Sequence, residues 1–233
     1  MKPSFHKVPV KSGNSFSIRR DLKANFGSVW HYHPEMELHY IVKGAGVQFI
    51  GDNVSNFSDG DLIFLGQNLP HTWRCNEDFY QNDPSINVEA IVLHFLPDCL
   101  GKEFLSIPET VLIKDFFDAS KRGFLIKEPA KSIVVSLLCE ALEAEGVDMI
   151  ILMIRILKEL INADRVPISS FYDNYPQSNS KMVLFEKIYS FILKNYNREI
   201  TLEEIAGNAN MSISSFSRTF KLITNKSFLD FLI

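Results

Sequence analysis

Hydrophobic and polar positions alternate in two different ways along this chain. Over residues 12–96, short apolar, β-branched and aromatic runs are separated by turn sequences rich in Gly, Asp and Asn, which predicts many short strands. Strands this short and this closely spaced are typical of a barrel or jelly roll. After Pro97 the apolar residues recur at spacings of three and four, which predicts helices over residues 109–120, 129–144 and 147–162.

The last two of these helices each carry one apolar stripe. Such a stripe is buried either against the barrel or against a second subunit, and the pattern leaves both alternatives open. The stripe positions are Ile133, Val134, Leu137, Leu138 and Leu142 on the first helix and Ile150, Met153, Ile154, Leu157, Leu160 and Ile161 on the second. Residues 164–180 are polar, with Pro167 and Pro176, and predict a linker.

The C-terminal part, residues 181–233, predicts a helix-turn-helix. Thr201 and Glu204 have the spacing of a capping box, so a helix is expected to begin after Thr201. Residues 208–210 break that helix, and Ser212 is placed to cap a second one that runs to about residue 223. Its polar positions suit a helix that enters the major groove, although a hairpin with a solvated face is the alternative. The candidate DNA-binding residues are Ser212, Ser214, Ser215, Ser217, Arg218 and Lys221.

The charge distribution supports a nucleic-acid partner at this end only. The whole chain has a net charge of −4, whereas residues 181–233 hold seven basic and five acidic residues. The three cysteines include no CxxC pair, so neither a disulfide framework nor a zinc finger is expected. The longest apolar run, residues 149–154, is too short to span a bilayer, and no secretory signal is visible, so we expect a cytoplasmic protein.

A group of histidines and one glutamate forms the candidate metal site. His31 and His33 point to the same face of a strand, and Glu37 shares that parity if the strand stays regular. His71 follows a later strand that a barrel can place opposite them. Three imidazoles and a carboxylate suit Zn, Ni, Mn, Fe or Cu, and an organic ligand without metal is the alternative. Tyr32, His39 and Trp73 are further candidates for an effector pocket, with a sugar as one candidate ligand.

Two family resemblances bear on these patterns. Residues 200–232 resemble the first helix-turn-helix of AraC/XylS-type regulators, with one departure at Asn225, where that family usually has Gly. The resemblance rests on Leu202, Ala206, Met211, Ser212, Phe216, Arg218, Phe220, Lys221 and Phe228. It implies that Ser214, Ser217 and Arg218 face bases. The family's second helix-turn-helix unit does not follow, so the resemblance implies an incomplete DNA-binding domain with weak, salt-sensitive binding.

The N-terminal histidine pattern resembles the two cupin motifs. His31, His33, Glu37 and Gly44 match the first motif, and Gly60 and His71 match the ends of the second. The second motif departs from the pattern at Gly66 and Asn68, and Gly27 lies closer to His31 than usual. Cupin-like sensor domains are common in AraC-type regulators, so the two resemblances support each other.

Together these patterns predict an α+β protein: a cupin-like jelly-roll barrel, following helices, and an all-α helix-turn-helix segment. The expected division is a barrel at 1–108, a helical dimerisation region at 109–163, a linker at 164–180 and a partial DNA-binding domain at 181–233. We expect a homodimeric, non-enzymatic transcription regulator, an activator or a repressor, that binds double-stranded DNA and a small-molecule effector. A metal-dependent cupin enzyme, of dioxygenase or isomerase type, is the alternative.

Overall fold

The computed structural model describes residues 3–9, 13–27, 29–81, 83, 86–170, 187–188, 191–192, 195, 198–224 and 227–228, with the backbone alone at 222–224. Parts of the expected C-terminal region lie outside these residues. They are most of the linker, at 171–180, the first residues of the C-terminal part, at 181–186, and Asn225, the departure from the family pattern.

Two β-sheets face each other in the N-terminal half, in the arrangement expected of a jelly-roll barrel. The described strands are β1 (Ser4–Phe5), β2 (Phe16–Lys23), β3 (His31–Tyr32), β4 (Met36–Lys43), β5 (Gly46–Ile50), β6 (Asn53–Phe57), β7 (Leu62–Leu65), β8 (His71–Cys75), β9 (Val88–Phe95), β10 (Phe124–Ile126) and β11 (Arg165–Pro167). One sheet has the order β1-β3-β8-β5-β6, and the other has the order β11-β10-β7-β4-β9-β2.

The two faces of the six-stranded sheet have different surroundings. Because side chains alternate along a strand, Met36 and Leu38 of β4 point outward and pack with the helices. Glu37, His39 and Ile41 of the same strand point into the barrel. The sheet is therefore covered on both sides, which explains why β7 is buried along its whole length.

Three helices cover the outer face of this sheet, close to their predicted bounds: α1 (Val111–Ala119), α2 (Ala130–Glu143) and α3 (Val147–Asn162). Leu138 and Leu160 are fully buried in one cluster with the sheet, so the intrachain core takes the centre of both apolar stripes. Each such leucine contributes about 1.5–3 kcal/mol on burial. Three other stripe positions are 40–46% exposed, namely Ile133, Ile150 and Ile154.

The barrel sheet extends beyond the boundary expected at residue 108. Strand β10 pairs with β7, and β11 pairs with β10, so parts of the expected helical region and linker belong to the six-stranded sheet. The reason is that β7 leaves an edge open: β10 pairs with it before α2, and after α3 the chain adds β11 to β10. Residues 165–170, expected to begin the linker, are thus held on the barrel. Among the described residues, no helix has the length and apolar composition needed to cross a bilayer.

The helix-turn-helix follows the expected pattern closely. Helix α4 (Leu202–Asn208) begins with the capping box, in which the Thr201 hydroxyl accepts the Glu204 N–H and the Glu204 carboxylate accepts the Thr201 N–H. Helix α5 (Ile213–Thr224) follows a turn in which Asn210 has a φ of 55°. The core between the two helices is apolar, and its buried residues are Ile188, Ile192, Ile200, Ile205, Ala206, Ala209, Phe216, Phe220 and Phe228.

Candidate functional site

The strand register brings the sequence-predicted histidines to one place inside the barrel. His31 of β3 pairs directly with His71 of β8, so these two imidazoles come from neighbouring strands of one sheet. Glu37 lies on β4 of the opposite sheet, and its direct partner on β9 is His94. Because the two sheets face each other, the four predicted residues and His94 converge from both walls of the barrel.

Glu37 is the centre of this group. Its Oε2 atom lies 3.0 Å from His33 Nε2, 2.9 Å from His94 Nε2 and 3.3 Å from His71 Nε2. Its Oε1 atom lies 2.7 Å from His39 Nδ1. The Glu37 side chain is only 4% exposed. A buried carboxylate without partners would be costly, so this ring of imidazoles is what allows an acidic residue to lie here.

Backbone carbonyls determine how three of the imidazoles are protonated. The Nδ1 atoms of His31, His33 and His71 lie 2.7, 3.0 and 2.7 Å from carbonyl oxygens of Val29, Glu35 and Leu69. A carbonyl only accepts, so each Nδ1 carries a proton. In the neutral form of each ring, Nε2 then holds a lone pair, as in histidines that bind metals.

His94 and His39 have the opposite role. Arg19 Nη1 donates to His94 Nδ1 at 3.0 Å, so the His94 Nε2–H donates to Glu37. His39 Nδ1 also lies against Glu37, so it too donates to the carboxylate. These two histidines therefore orient Glu37. Without a metal, the His33 Nε2–H donates to Glu37 Oε2 as well, whereas the neutral rings of His31 and His71 direct Nε2 lone pairs into the same space.

The pKa values of the group follow from burial and from the charge on Glu37. Burial alone would raise the pKa of Glu37, but the nearby His94 and the hydrogen bonds that Glu37 accepts from His33 and His39 hold it well below its usual range. Burial, together with the neighbouring His71, lowers the pKa of His31 to about 4. For His33 burial acts in the same direction, but the hydrogen bond and charge of Glu37 outweigh it and raise the pKa.

The donor set fits a metal ion in two overlapping triads. The ligand atoms of His31, His33 and His71 lie within 4.8 Å of one another, and so do those of His33, Glu37 and His94. The Nε2 atom of His71 is buried without a hydrogen-bond partner, as expected of an atom that would ligate an ion. The four residues predicted from the sequence thus lie together, with Glu37 in one triad and His31 in the other.

His94 is the residue that the sequence reading missed. No partner lies near it in the sequence, but in the structure it is buried beside Glu37. The alternation of side chains along β9 could have indicated this role. Ala90, Val92 and His94 share one face of the strand, and a single histidine among small apolar residues needs a buried partner. The partner strand could not be named from sequence, because it depends on the order of strands in the sheet.

A cavity of about 280 Å³ opens beside this group. His39 and Trp73, both expected in the effector pocket, line it and stack on each other with ring centroids 4.2 Å apart. Tyr32 does not line it; on the short strand β3 it packs edge-on against Phe5 instead. The described residues lining the cavity are His6, Arg19, Asp21, Lys23, Phe26, Gly27, Val29, His31, Glu37, His39, Thr72, Trp73 and His94.

The second candidate site is the outer face of α5. Of its candidate residues, Ser212, Ser214, Ser215, Arg218 and Lys221 are exposed, and Ser217 is half-buried. Ser212 also has a local role, because its hydroxyl accepts the Ser215 N–H at 3.3 Å and so caps the helix. The remaining residues form a polar surface with two cations, and this surface lies over the apolar core between α4 and α5.

Comparisons with known proteins agree with this division of the chain. Residues 18–79 match the family model described as cupin domain, and residues 192–232 match bacterial regulatory helix-turn-helix proteins of the AraC family. No curated protein sequence matches at a significant level.

Among solved structures, the AraC-like transcriptional activator CuxR aligns at 14% identity with a TM-score of 0.39, covering 86% of this chain and 65% of CuxR. The chain thus spans less than two thirds of that protein's length. ToxT from Vibrio cholerae aligns at 14% identity with a TM-score of 0.39, covering 94% of this chain and 98% of ToxT. A cupin 2 conserved barrel protein from Rhodopseudomonas palustris aligns at 19% identity with a TM-score of 0.29, covering 38% of this chain and 57% of that protein. Structural similarities with TM-scores this low carry no argument. The identification of a cupin domain and an AraC-type helix-turn-helix therefore rests on the two family matches.

Proposed function

We propose that this chain, which combines a cupin domain with an AraC-family helix-turn-helix, is a DNA-binding transcription regulator controlled by a small molecule bound in the barrel. The observation that carries the proposal is the pairing of a helix-turn-helix, whose polar face is exposed on α5, with a cavity inside the barrel that is lined by charged and aromatic residues. A helix-turn-helix gives the protein a DNA partner, and a concave cavity with an apolar wall and a few polar groups suits a small ligand. Because its partner is chromosomal DNA, we also propose a cytoplasmic location.

On DNA, Arg218 would read a base edge and Lys221 would contact phosphate. The test uses a duplex selected from a randomised oligonucleotide pool, with binding measured over a range of salt concentrations. Arg218→Ala should weaken binding by about 1–3 kcal/mol and relax specificity at one position, whereas Lys221→Ala should lower the salt slope by about one. Lys158→Ala, which changes another exposed lysine, on α3, is the control. Equal affinities in all four proteins would exclude α5 as the reading helix.

The route from the barrel to the DNA-binding segment is proposed to pass through Asp52. This carboxylate is 5% exposed and accepts hydrogen bonds from the Ser169 hydroxyl at 2.7 Å and the Ser170 N–H at 2.9 Å. The approach requires Gly51, since a Cβ there would lie 2.5 Å from Ser169 Oγ. Ile50, two residues before Asp52, pairs with His71. A change at the histidine cluster can therefore reach the residues from which the chain leaves the barrel.

This route is tested with Asp52→Ala, and with Asp78→Ala as an exposed control. Hydrogen exchange should quicken at the Ser170 amide in the first variant only, because the Asp52 carboxylate that accepts its N–H is lost. The difference in DNA affinity with and without added Zn²⁺ should shrink in Asp52→Ala. If the variant keeps both the wild-type exchange rates and the wild-type response to Zn²⁺, the route is wrong.

A divalent transition metal, Zn, Ni, Mn or Fe, is proposed as a cofactor held by His31, His33, Glu37 and His71. The support is the Nε2 lone pairs of His31 and His71, oriented by the backbone carbonyls, and the nearby Nε2 of His33, whose proton a bound metal would displace. Such an ion would supply a Lewis-acidic point for an anionic or hydroxyl group of the effector. His39 and His94 would hold the Glu37 carboxylate in place.

Elemental analysis of protein purified without a metal-affinity step tests the cofactor. We expect near-stoichiometric metal, lost in the double variant His31→Ala/His71→Ala, and bound about 10–100-fold more weakly in His39→Ala, since His39 contacts a ligand rather than the ion. A folded protein that carries no metal and binds none on addition would leave these histidines as pocket residues.

Two further proposals follow from the sequence. A homodimer is proposed because two-fold DNA sites favour it, and because Val147, Ile150, Ile151 and Ile154 form an exposed apolar stripe on α3. Sedimentation of wild type and Ile150→Glu tests this, with a shift to monomer expected in the variant.

The metal cluster also keeps a cupin enzyme as the second candidate function. Turnover of a substrate that stops in His33→Ala would support this function.

A further inference from the structure

The inner face of β2 is charged where an apolar face would be expected. Arg19, Asp21 and Lys23 share strand parity and all three line the cavity. The side chains are 35%, 17% and 55% exposed, so the three charges run from the inside of the barrel towards solvent. Arg20, between them, points to the other face and pairs with Glu89.

Among the described residues these charges do not balance. Asp21 is the shared partner of the Arg19 Nε atom and the Lys23 Nζ atom, each 3.1 Å from its Oδ2. One carboxylate therefore faces two cations, and one positive charge remains at the mouth of the cavity. The other carboxylate of the lining, Glu37, is buried among the histidines deeper inside.

Arg19 is also held in place for a ligand. Its Nη1 donates to His94 Nδ1 at 3.0 Å, and His94 in turn donates to Glu37. An arginine fixed in this way loses little side-chain entropy when it binds an anion, and its planar fork matches a carboxylate. Inward charges on an edge strand can also serve only to prevent edge-to-edge pairing, but that purpose does not require a link from Arg19 to the buried cluster.

The rest of the lining provides an apolar wall. Phe26, Val29 and Trp73 face the same cavity, whose volume of about 280 Å³ suits a ligand of modest size. A cavity with aromatic walls and an excess cation at its mouth favours a molecule with an apolar body and a negatively charged end.

We propose that the effector is a small organic carboxylate, whose charge is bound by Arg19 and Lys23 and whose body packs against Phe26 and Trp73. This inference deepens the proposed function by naming the chemical class of its effector. An uncharged sugar, the candidate raised by the sequence, would leave the excess positive charge at the mouth without a partner.

The experiment compares acids with uncharged molecules of the same shape. Binding of benzoate and hexanoate, and of benzamide and hexanamide, is measured by calorimetry and by thermal shift on metal-free protein. The acids should bind and the amides should not. Arg19→Gln should weaken acid binding about 10–100-fold, as expected for a hydrogen bond to a charged group. Arg20→Gln, one residue away on the other face, should bind like wild type.

A variant that is expected to bind the acids more tightly keeps the test independent of folding defects, because a misfolded protein would bind them more weakly. Asp21→Asn removes the carboxylate that competes for the two cations, so it should bind the acids more tightly than wild type. The proposal is overturned if the amides bind as well as the acids, if Arg19→Gln and Arg20→Gln behave alike, if Asp21→Asn gives no gain, or if neither acid binds in the millimolar range. DNA binding is measured without any acid, so the regulator proposal can stand or fail separately.

Discussion

The barrel and the helix-turn-helix place their polar residues in opposite locations. The barrel buries Glu37 and the imidazoles of His33, His39, His71 and His94. In the described part of the helix-turn-helix every buried side chain is apolar, and the polar residues lie on the outside of α5. A small ligand can enter a protein and DNA cannot, so the location of the costly polar residues fits the two different partners that we propose.

The two interiors also owe their stability to different interactions. The helix-turn-helix core depends on packing, as in the stack of Phe216 and Phe220, whose ring centroids are 5.4 Å apart. The barrel depends on packing too, but it must also compensate a buried carboxylate with hydrogen bonds. Both tryptophans, Trp30 and Trp73, lie in the barrel, so tryptophan fluorescence reports on the unfolding of the barrel alone.

The largest expected effect is in the apolar interior. Phe216→Ala removes a fully buried ring in contact with Phe220 and Phe228, and should cost about 3–5 kcal/mol. We expect the part of the helical signal that comes from α4 and α5, and DNA binding, to be lost, while the midpoint of the fluorescence-detected urea transition is unchanged. Lys221→Ala should leave the helical signal intact. A shifted fluorescence midpoint in Phe216→Ala would show that the two cores are not energetically separate.

The next effect is in the polar interior. Glu37→Gln removes the charge that the imidazoles surround, and should destabilise the metal-free barrel by about 3 kcal/mol, since a buried partner is lost. The pKa of His33 should fall at the same time, because Glu37 is what raises it. Glu89→Gln breaks the partly exposed pair with Arg20 and should cost less than about 1 kcal/mol. Fluorescence-detected denaturation and NMR titration measure the two effects, and equal costs in the two variants would contradict the central role of Glu37.

A smaller effect depends on pH. The pKa of His31 is about 4 in the folded barrel and near its ordinary 6.5 when unfolded, so between these values the unfolded chain binds the extra proton. Stability of the metal-free barrel should therefore fall as the pH drops from 6.5 towards 4, by roughly 1–2 kcal/mol after allowance for the partial exposure of His31. Glu37 acts in the same direction at lower pH, because its pKa is depressed as well. In His31→Asn the loss between pH 6.5 and 5 should be reduced, and an unchanged loss would assign it to another group.

The smallest effect is at a helix end. Thr201→Ala removes the hydroxyl that accepts the Glu204 N–H and should cost about 1 kcal/mol in the helix-turn-helix. Thr219→Ala, within α5, should be neutral or slightly stabilising because alanine is the better helix former. Thermal unfolding followed by circular dichroism compares them. Destabilisation of the same size in both would mean that the capping box contributes little here.

The helix-turn-helix was predictable in detail because its signals are local. The capping box, the helix break at Asn208 and the spacing of Phe216 and Phe220 each depend on residues within one or two turns, and the structure has them as predicted. The barrel was predictable as a class, α+β with many short strands. The boundary at residue 108 was not, because β10 and β11 join the sheet through pairings with distant segments.

The sequence by itself identified the candidate site residues: the four possible metal ligands by their motif spacing, and the polar face of α5 by helical periodicity. Only the tertiary structure decided which other residues act with them. His94 meets Glu37 across 57 positions of the chain, and Arg19 meets His94 across 75. The physical reason is that a helix specifies neighbours three and four residues away, whereas a strand specifies only which face a side chain is on. Which residue lies opposite on that face depends on strand order and register, and these are properties of the folded sheet.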